Sequence, residues 1–354
     1  MAYEPAEKPF WFTITIAISL FAIIILYPLL PKISYSQQQQ QQLFPFLPPT
    51  NTIKDQIKHD IQNESMTSAT DSNSSPSTMN KAVILDFYDN DNDIGQFTYA
   101  KPILDKYGFK STFFIVCNWA SSRNPERMTW QDISQLYREG HDIESHSMTH
   151  KVLDELSARA LDYEVGQSKQ CLHDHLGIYP AVFSPPHDRG WNNATVINTI
   201  AKYYDLSIGG FINDVMFLHC YGWKQQNNIE HFSERDCRPF FDNGTLNYAS
   251  RYDIKENAGA QGHSNDTLIF DRFANLVNRE GILNSNNGAT PINSVLILGY
   301  HNLNNTQTTQ RDAMDTSLFD KEMRYFHDNG VKVITMSDLG YDENSRYLYV
   351  RNNK

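Results

Sequence analysis

Four polar clusters in this chain each follow a short apolar run: Tyr88, Asp89, Asn90 and Asp91 after AVILDF; His146 and His150 after DIES; Pro185, Pro186, His187 and Asp188 after AVFS; and His301 after SVLILGY. Two imidazoles four residues apart share one face of a helical turn, so His146 and His150 can reach a single ion. With a dozen histidines in the chain, one such pair is weak evidence by itself. A carboxylate at a neighbouring strand end changes the balance. Asp89 would complete a His-His-Asp set, which leaves coordination positions open for water and a substrate oxygen. His301, at another strand end, is placed to donate a proton.

These clusters work together only if the runs before them are neighbouring strands. From residue 81 short branched runs alternate with amphipathic stretches. Strands are expected at 82–87, 111–117, 141–147, 181–184, after 205, at 294–301 and at 331–339. Helices are expected at 97–108, 129–140, around 153–175, and at 192–205, 267–280 and 317–329. Such alternation implies parallel strands joined by crossover helices, with the chemistry gathered at the strands' carboxyl ends.

Taken in order, FYDND at 87–91, SHSMTH at 145–150, FSPPH at 183–187 and ILGYH at 297–301 resemble the motifs of the polysaccharide deacetylase family, the NodB-homology or carbohydrate esterase family 4 group. The resemblance implies an α/β fold, a distorted (β/α) barrel of about seven parallel strands over 81–345. Residues 212–266 read as an insertion. It also implies metal ligands at Asp89, His146 and His150, a general acid at His301, a divalent cation, zinc in most of the family, and removal of N-acetyl groups from an amino-sugar polysaccharide.

Two positions depart from the family pattern. Where the family has its general base the chain has Tyr88, and where it has the arginine that orients that base the chain has Ser184. The D-x-x-D-W motif is not recognisable. An unperturbed phenol titrates near ~10, so Tyr88 is a poor base at neutral pH. Asp86, two residues back on the same face of the strand, is a candidate substitute, as are Asp91 and His187, the last also a substrate contact. Loss of the base and its arginine with retention of every ligand is compatible with a relocated base. It is also compatible with a protein that binds glycans without cleaving them, or with a structural envelope protein whose metal only stabilises the barrel.

The surroundings fit a surface glycan. The chain has 354 residues and a formal net charge of −11, which argues against nucleic acid, since phosphate-backbone binding needs a basic face. Residues 10–30 carry no charge and are long enough to span a bilayer as a helix, so residues 1–32 are expected to be a single-pass transmembrane anchor, with a cleaved signal as the alternative. Residues 33–80, with six consecutive glutamines and a Pro-rich stretch, read as a flexible tether. Glycosylation acceptor patterns begin at Asn63, Asn73, Asn193, Asn243, Asn265 and Asn304, and place the globular part outside the cell. Of the four cysteines, Cys220 and Cys237 are the expected pair in an oxidising compartment, or all four are free; Cys117 reads as a buried small hydrophobe.

Overall fold

The computed structural model describes residues 81–88, 92–211, 215–218, 249–258, 267–285, 294–304, 313–344 and 347–351. The expected anchor (1–32) and tether (33–80) lie outside the described residues, as do Asp89, Asp91, Cys220 and Cys237. Among the described residues, no helix is long and apolar enough to cross a membrane.

Branched and aromatic residues dominate β1 (Ala82–Phe87), β2 (Thr112–Ile115) and β4 (Val182–Phe183), while β3 (Asp142–Ser145) and β5 (Leu206–Phe211) are more mixed. Beyond β6 (Met216–Phe217) come β7 (Ile254–Ala258) and β8 (Ser294–Tyr300). The order β1-β2-β3-β4-β5-β7-β8, with β8 pairing back onto β1, closes a parallel ring of seven strands. The crossovers run through α1 (Lys101–Tyr107), α2 (Trp130–Arg138), α3 (Ser168–Leu176), α4 (Ala194–Ile200) and α5 (Thr267–Ser285). After β8 a short pair, β9 (Asn302–Asn304) and β10 (Ala313–Asp315), leads to α6 (Thr316–Asp328). The chain then adds β11 (Lys332–Ile334) and a hairpin of β12 (Leu339–Asp342) and β13 (Tyr347–Val350).

Two differences from the sequence expectation concern the ring. The seventh stave is β7, inside the span read as an insertion, while the strand expected at 331–339 is shorter and lies outside the ring. β11 pairs with Ala82–Ile84, the first half of β1, while β2 pairs with its second half at Asp86–Phe87. The Met336 amide donates to the Thr112 hydroxyl (2.9 Å) and the Ser337 amide to the Asp142 carboxylate (3.0 Å), so the turn after β11 fills the gap between β1 and β2.

Alternation along each stave sorts the core into two layers. Ile84, Tyr88, Phe114, Val182, Ile208, Ile254 and Ile297 form one cluster with the hairpin's Leu339 and Leu348; Val83, Leu85, Phe87, Phe113, Leu296 and Leu298 form another with the helices. Phe87 stacks on Phe113 at 4.9 Å and meets Phe319 of α6 edge-on at 5.9 Å.

Local signals account for most helix limits. Thr129 and Asp132 form a reciprocal capping box at the start of α2. The acceptor-like Asn193 instead caps α4, its side-chain oxygen taking the amides of Thr195 and Val196. The single helix expected around 153–175 is broken into a 3-10 turn, a five-residue helix, a π-helical turn at Tyr163–Gln167 and α3. Cys117 is buried as expected, but it is joined to Cys171 of α3 by a disulfide, with Cα atoms 6.5 Å apart.

Candidate functional site

His146 leaves the end of β3 with 1% exposure. Its Nδ1 lies 2.8 Å from the carbonyl oxygen of Ser184. A carbonyl only accepts, so Nδ1 carries the proton and Nε2 is the lone-pair nitrogen, the tautomer a metal ligand needs. That Nε2 is 3.1 Å from the Nε2 of His150. Two imidazole nitrogens held at ~2.0–2.1 Å by one tetrahedral ion stand about 3.3 Å apart, so the pair is already spaced for a shared cation.

The route to this convergence differs from the helical turn the spacing suggests. Residues 146–150 form a tight loop in which Ser147 and His150 take φ of 73° and 61°. The loop is fixed from outside by the carboxylate of Glu164, which accepts from the Thr149 amide (2.8 Å) and hydroxyl, and by the Ser147 hydroxyl, which accepts from the His150 amide (2.9 Å). Amides of Cys117 and Asn118 donate to the carbonyls of Ser147 and Met148. The short helix that starts at Cys117 therefore docks on the histidine loop and lays Trp119 against His150, ring centroids 4.7 Å apart.

His187 is exposed, with its backbone at φ 60°. Its Nε2 donates to the His150 carbonyl (3.1 Å) and its ring packs on His150 at 4.4 Å. It therefore buttresses the second histidine. Among the described residues no third histidine, cysteine or carboxylate joins the pair. Asp89, the expected third ligand, lies outside them. Asn92 is 3% exposed and makes both side-chain bonds to the Val116 backbone, each 2.9 Å.

Across the mouth, the His301 ring meets the Tyr88 ring edge-on at 4.9 Å. Tyr88 also meets His146 edge-on at 6.3 Å and is 1% exposed, so it forms part of the floor between the expected acid and the histidine pair. Gly299 makes room for it: a Cβ there would lie 2.3 Å from Tyr88 Cε1, 3.1 Å from Glu256 Oε2 and 3.2 Å from Asp86 Oδ1.

Beneath Tyr88 two fully buried carboxyls, Asp86 of β1 and Glu256 of β7, therefore meet at the barrel centre. Burial pushes Asp86 well above the usual carboxylate range, partly offset by its hydrogen bond with Glu256. Burial also pushes Glu256 well up, reinforced by the charges of Asp86 and Asp188 and eased by the Tyr88 hydroxyl. Beyond this trio their oxygens find no hydrogen-bond partner among the described residues. The sequence analysis singled out Asp86 and missed Glu256.

Residues 75–206 match the family model described as Polysaccharide deacetylase. Over that segment the chain is similar to the polysaccharide deacetylases. It is 32% identical over 84 residues to chitin deacetylase 1 of Cryptococcus neoformans var. grubii serotype A, covering 24% of this chain and 17% of that protein. It is 30% identical over 112 residues to a chitin deacetylase of Pestalotiopsis sp., covering 30% and 36%. The chain thus spans well under half the length of these curated relatives. A solved structure of the peptidoglycan deacetylase PdaC from Bacillus subtilis aligns over 74% of this chain and 90% of that one, at 15% identity and a TM-score of 0.42.

Proposed function

We propose that this chain is a metal-dependent hydrolase that removes N-acetyl groups from an amino-sugar polysaccharide at the cell surface. It would be anchored in the bilayer through residues 1–32, with the barrel outside the cell. The observation that carries the reading is the His146–His150 pair, whose Nε2 atoms stand 3.1 Å apart with the tautomer of His146 set by the Ser184 carbonyl. The family match over 75–206 supports the reaction class, and the Cys117–Cys171 disulfide supports an oxidising compartment.

His146 and His150, with Asp89, are the residues that would hold a divalent ion, zinc by preference for this donor set. Bound there, the ion supplies Lewis acidity toward the acetyl carbonyl and makes an attacking water more acidic. His187 and Glu164 keep His150 and its loop in place. His301, across the floor made by Tyr88, protonates the leaving amine. Trp119, half-buried beside His150, provides an apolar wall at the same mouth. In the assay, zinc- or cobalt-loaded protein releases acetate from N-acetylglucosamine oligomers, and His146→Ala loses that release. The absence of turnover by loaded wild-type protein on a broad panel of acetylated sugars would refute the reading.

A second reading rests on Tyr88 and Ser184, which stand where the resemblance expects a base and its arginine. In it the chain binds acetylated glycan at the same metal site without cleaving it. Saturable sugar binding by an inactive wild type, not weakened in Tyr88→Asp, would select this reading.

A further inference from the structure

We propose that Trp119, held in place by Arg127, is a positioning residue that keeps the His150 imidazole turned toward His146 for a shared divalent ion. This rests on the proposed role of the two histidines as metal ligands. The backbone of His150 does not fix its own geometry. Its φ of 61° lies in the left-handed region, which a residue with a side chain keeps only where its surroundings dictate it. Glu164 and the Ser147 hydroxyl bond the loop at Thr149 and at the His150 amide, and they leave the imidazole to be set by the rings around it. Among the described residues those rings, besides His146, are His187 at 4.4 Å and Trp119 at 4.7 Å. His187 is exposed, whereas Trp119 is half-buried on a helix whose first two amides are bonded to the histidine loop. Trp119 is therefore the firmer stop of the two.

The segment that carries Trp119 is fastened at both ends to one residue. The Asn92 side chain bonds the amide and the carbonyl of Val116, each at 2.9 Å, and the Asn92 carbonyl accepts from the Met128 amide at 2.7 Å. Closing 116–128 in this way brings Arg127 back over Trp119. The guanidinium lies 4.3 Å from the indole ring centre, a cation–π contact. Arg127 is in turn bridged through its backbone to Asp93. The Ser122 hydroxyl donates to the Trp119 carbonyl at 2.6 Å, and the Cys117–Cys171 disulfide ties the start of the same helix to α3. Arg127 touches neither histidine ring in this chain of contacts. It acts on His150 only by holding the indole.

An imidazole freed from its stop samples about three wells at χ1 and two ring orientations, so it faces His146 about one-sixth of the time. Apparent affinity for the ion falls with that fraction. The test is the zinc affinity of the full-length protein at 25 °C, without sugar, read by competition with a chromophoric chelator. W119A weakens zinc binding about sixfold, while W119F, which keeps an aromatic ring against His150, stays within about twofold of wild type. R127M removes the cation from the indole and weakens binding about two- to fivefold, but adds nothing further in the W119A background. Wild-type zinc affinity in W119A overturns the proposal, even if its melting temperature falls, because a purely structural tryptophan would give that result. An R127M loss that is absent from wild type, or that persists undiminished in W119A, overturns it too.

NMR with selective histidine labelling, without metal and at one fixed pH, keeps the proposal open to refutation should W119A fail to fold. The His150 signals are assigned as those lost in H150Q. In wild type the indole ring current displaces the His150 ring protons, and the displacement shrinks in W119F and in R127M. His150 ring signals that are the same in wild type, W119F and R127M overturn the proposal whatever the zinc result. A wild type that binds no zinc refutes the proposed function, and the ring-proton shifts still decide whether Trp119 places His150.

Discussion

Glu322 offers the most quantitative test of how the barrel handles buried charge. It lies on α6 at 0% exposure, where the Tyr300 hydroxyl donates to its Oε2 (2.9 Å) and its Oε1 has no partner among the described residues. Burial pushes it from the usual 4.5 up to about 8, with the Tyr300 bond and the nearby Lys321 pulling the other way. An acid whose folded pKa is raised costs nothing below pH 4.5, where both states hold the proton. Between 4.5 and about 8 the unfolded chain releases the proton and the native state keeps it, so stability falls as pH rises, by about 1.4 kcal/mol per unit. Across the window the loss reaches about 5 kcal/mol. Glu322→Gln keeps the shape and an oxygen for Tyr300 but cannot ionise, so it removes this slope. In urea unfolding at pH 5, 6.5 and 8, the variant should gain on wild type by under about 1, about 3 and about 4 kcal/mol. Other buried carboxyls titrate equally in both proteins and cancel in the difference. A variant-minus-wild-type difference that is the same at pH 5 and pH 8 would show that Glu322 does not carry its proton into the native state.

Other outcomes follow from the same structure. Zinc at a hundred times its dissociation constant should stabilise the protein by about 2.7 kcal/mol in thermal unfolding, and His150→Ala should abolish the increment; an equal rise in both proteins would place the ion elsewhere. Replacing Cys117 and Cys171 by serine opens a 54-residue separation and should lower stability by roughly 4 kcal/mol in the chain-entropy account, measured against the oxidised protein in urea. Gly299→Ala puts a methyl 2.3 Å from Tyr88 Cε1 and should cost about 1–3 kcal/mol, with a displaced Tyr88 ring visible in the aromatic NMR of the variant.

The chain announces its ring through β1 and β8, whose AVILDF and SVLILGY runs are apolar on both faces because each stave is covered by the helices outside and by the opposite staves inside. It hides β7. IKENA brings Glu256 inward and leaves Lys255 half-buried, so a buried strand reads as a polar loop. The one local hint is Gly299, since a glycine inside so strong a strand marks a close approach of another group. His146, His150 and His301 were legible as ends of strands. The backbone that joins the first two was not, because positive φ at Ser147 and His150 is imposed by Glu164 and the docked helix and carries no glycine to betray it. The Cys117–Cys171 bond links the end of β2 to α3, with α2 and β3 between them in the chain, a proximity that only the packed barrel creates.

The position of β1 has a consequence for assembly. It is flanked by β2 and β8 and additionally by β11, so the first stave to be made is bordered by some of the last. While β8 and β11 are still unmade, one whole edge of AVILDF and half of the other stand open, with unpaired amides and carbonyls on a hydrophobic ribbon. Such an edge invites pairing with other chains, and the long separations that close it make folding slow. Refolding of this protein should therefore be slow and sensitive to its concentration, because β1 stays open until its late neighbours pair.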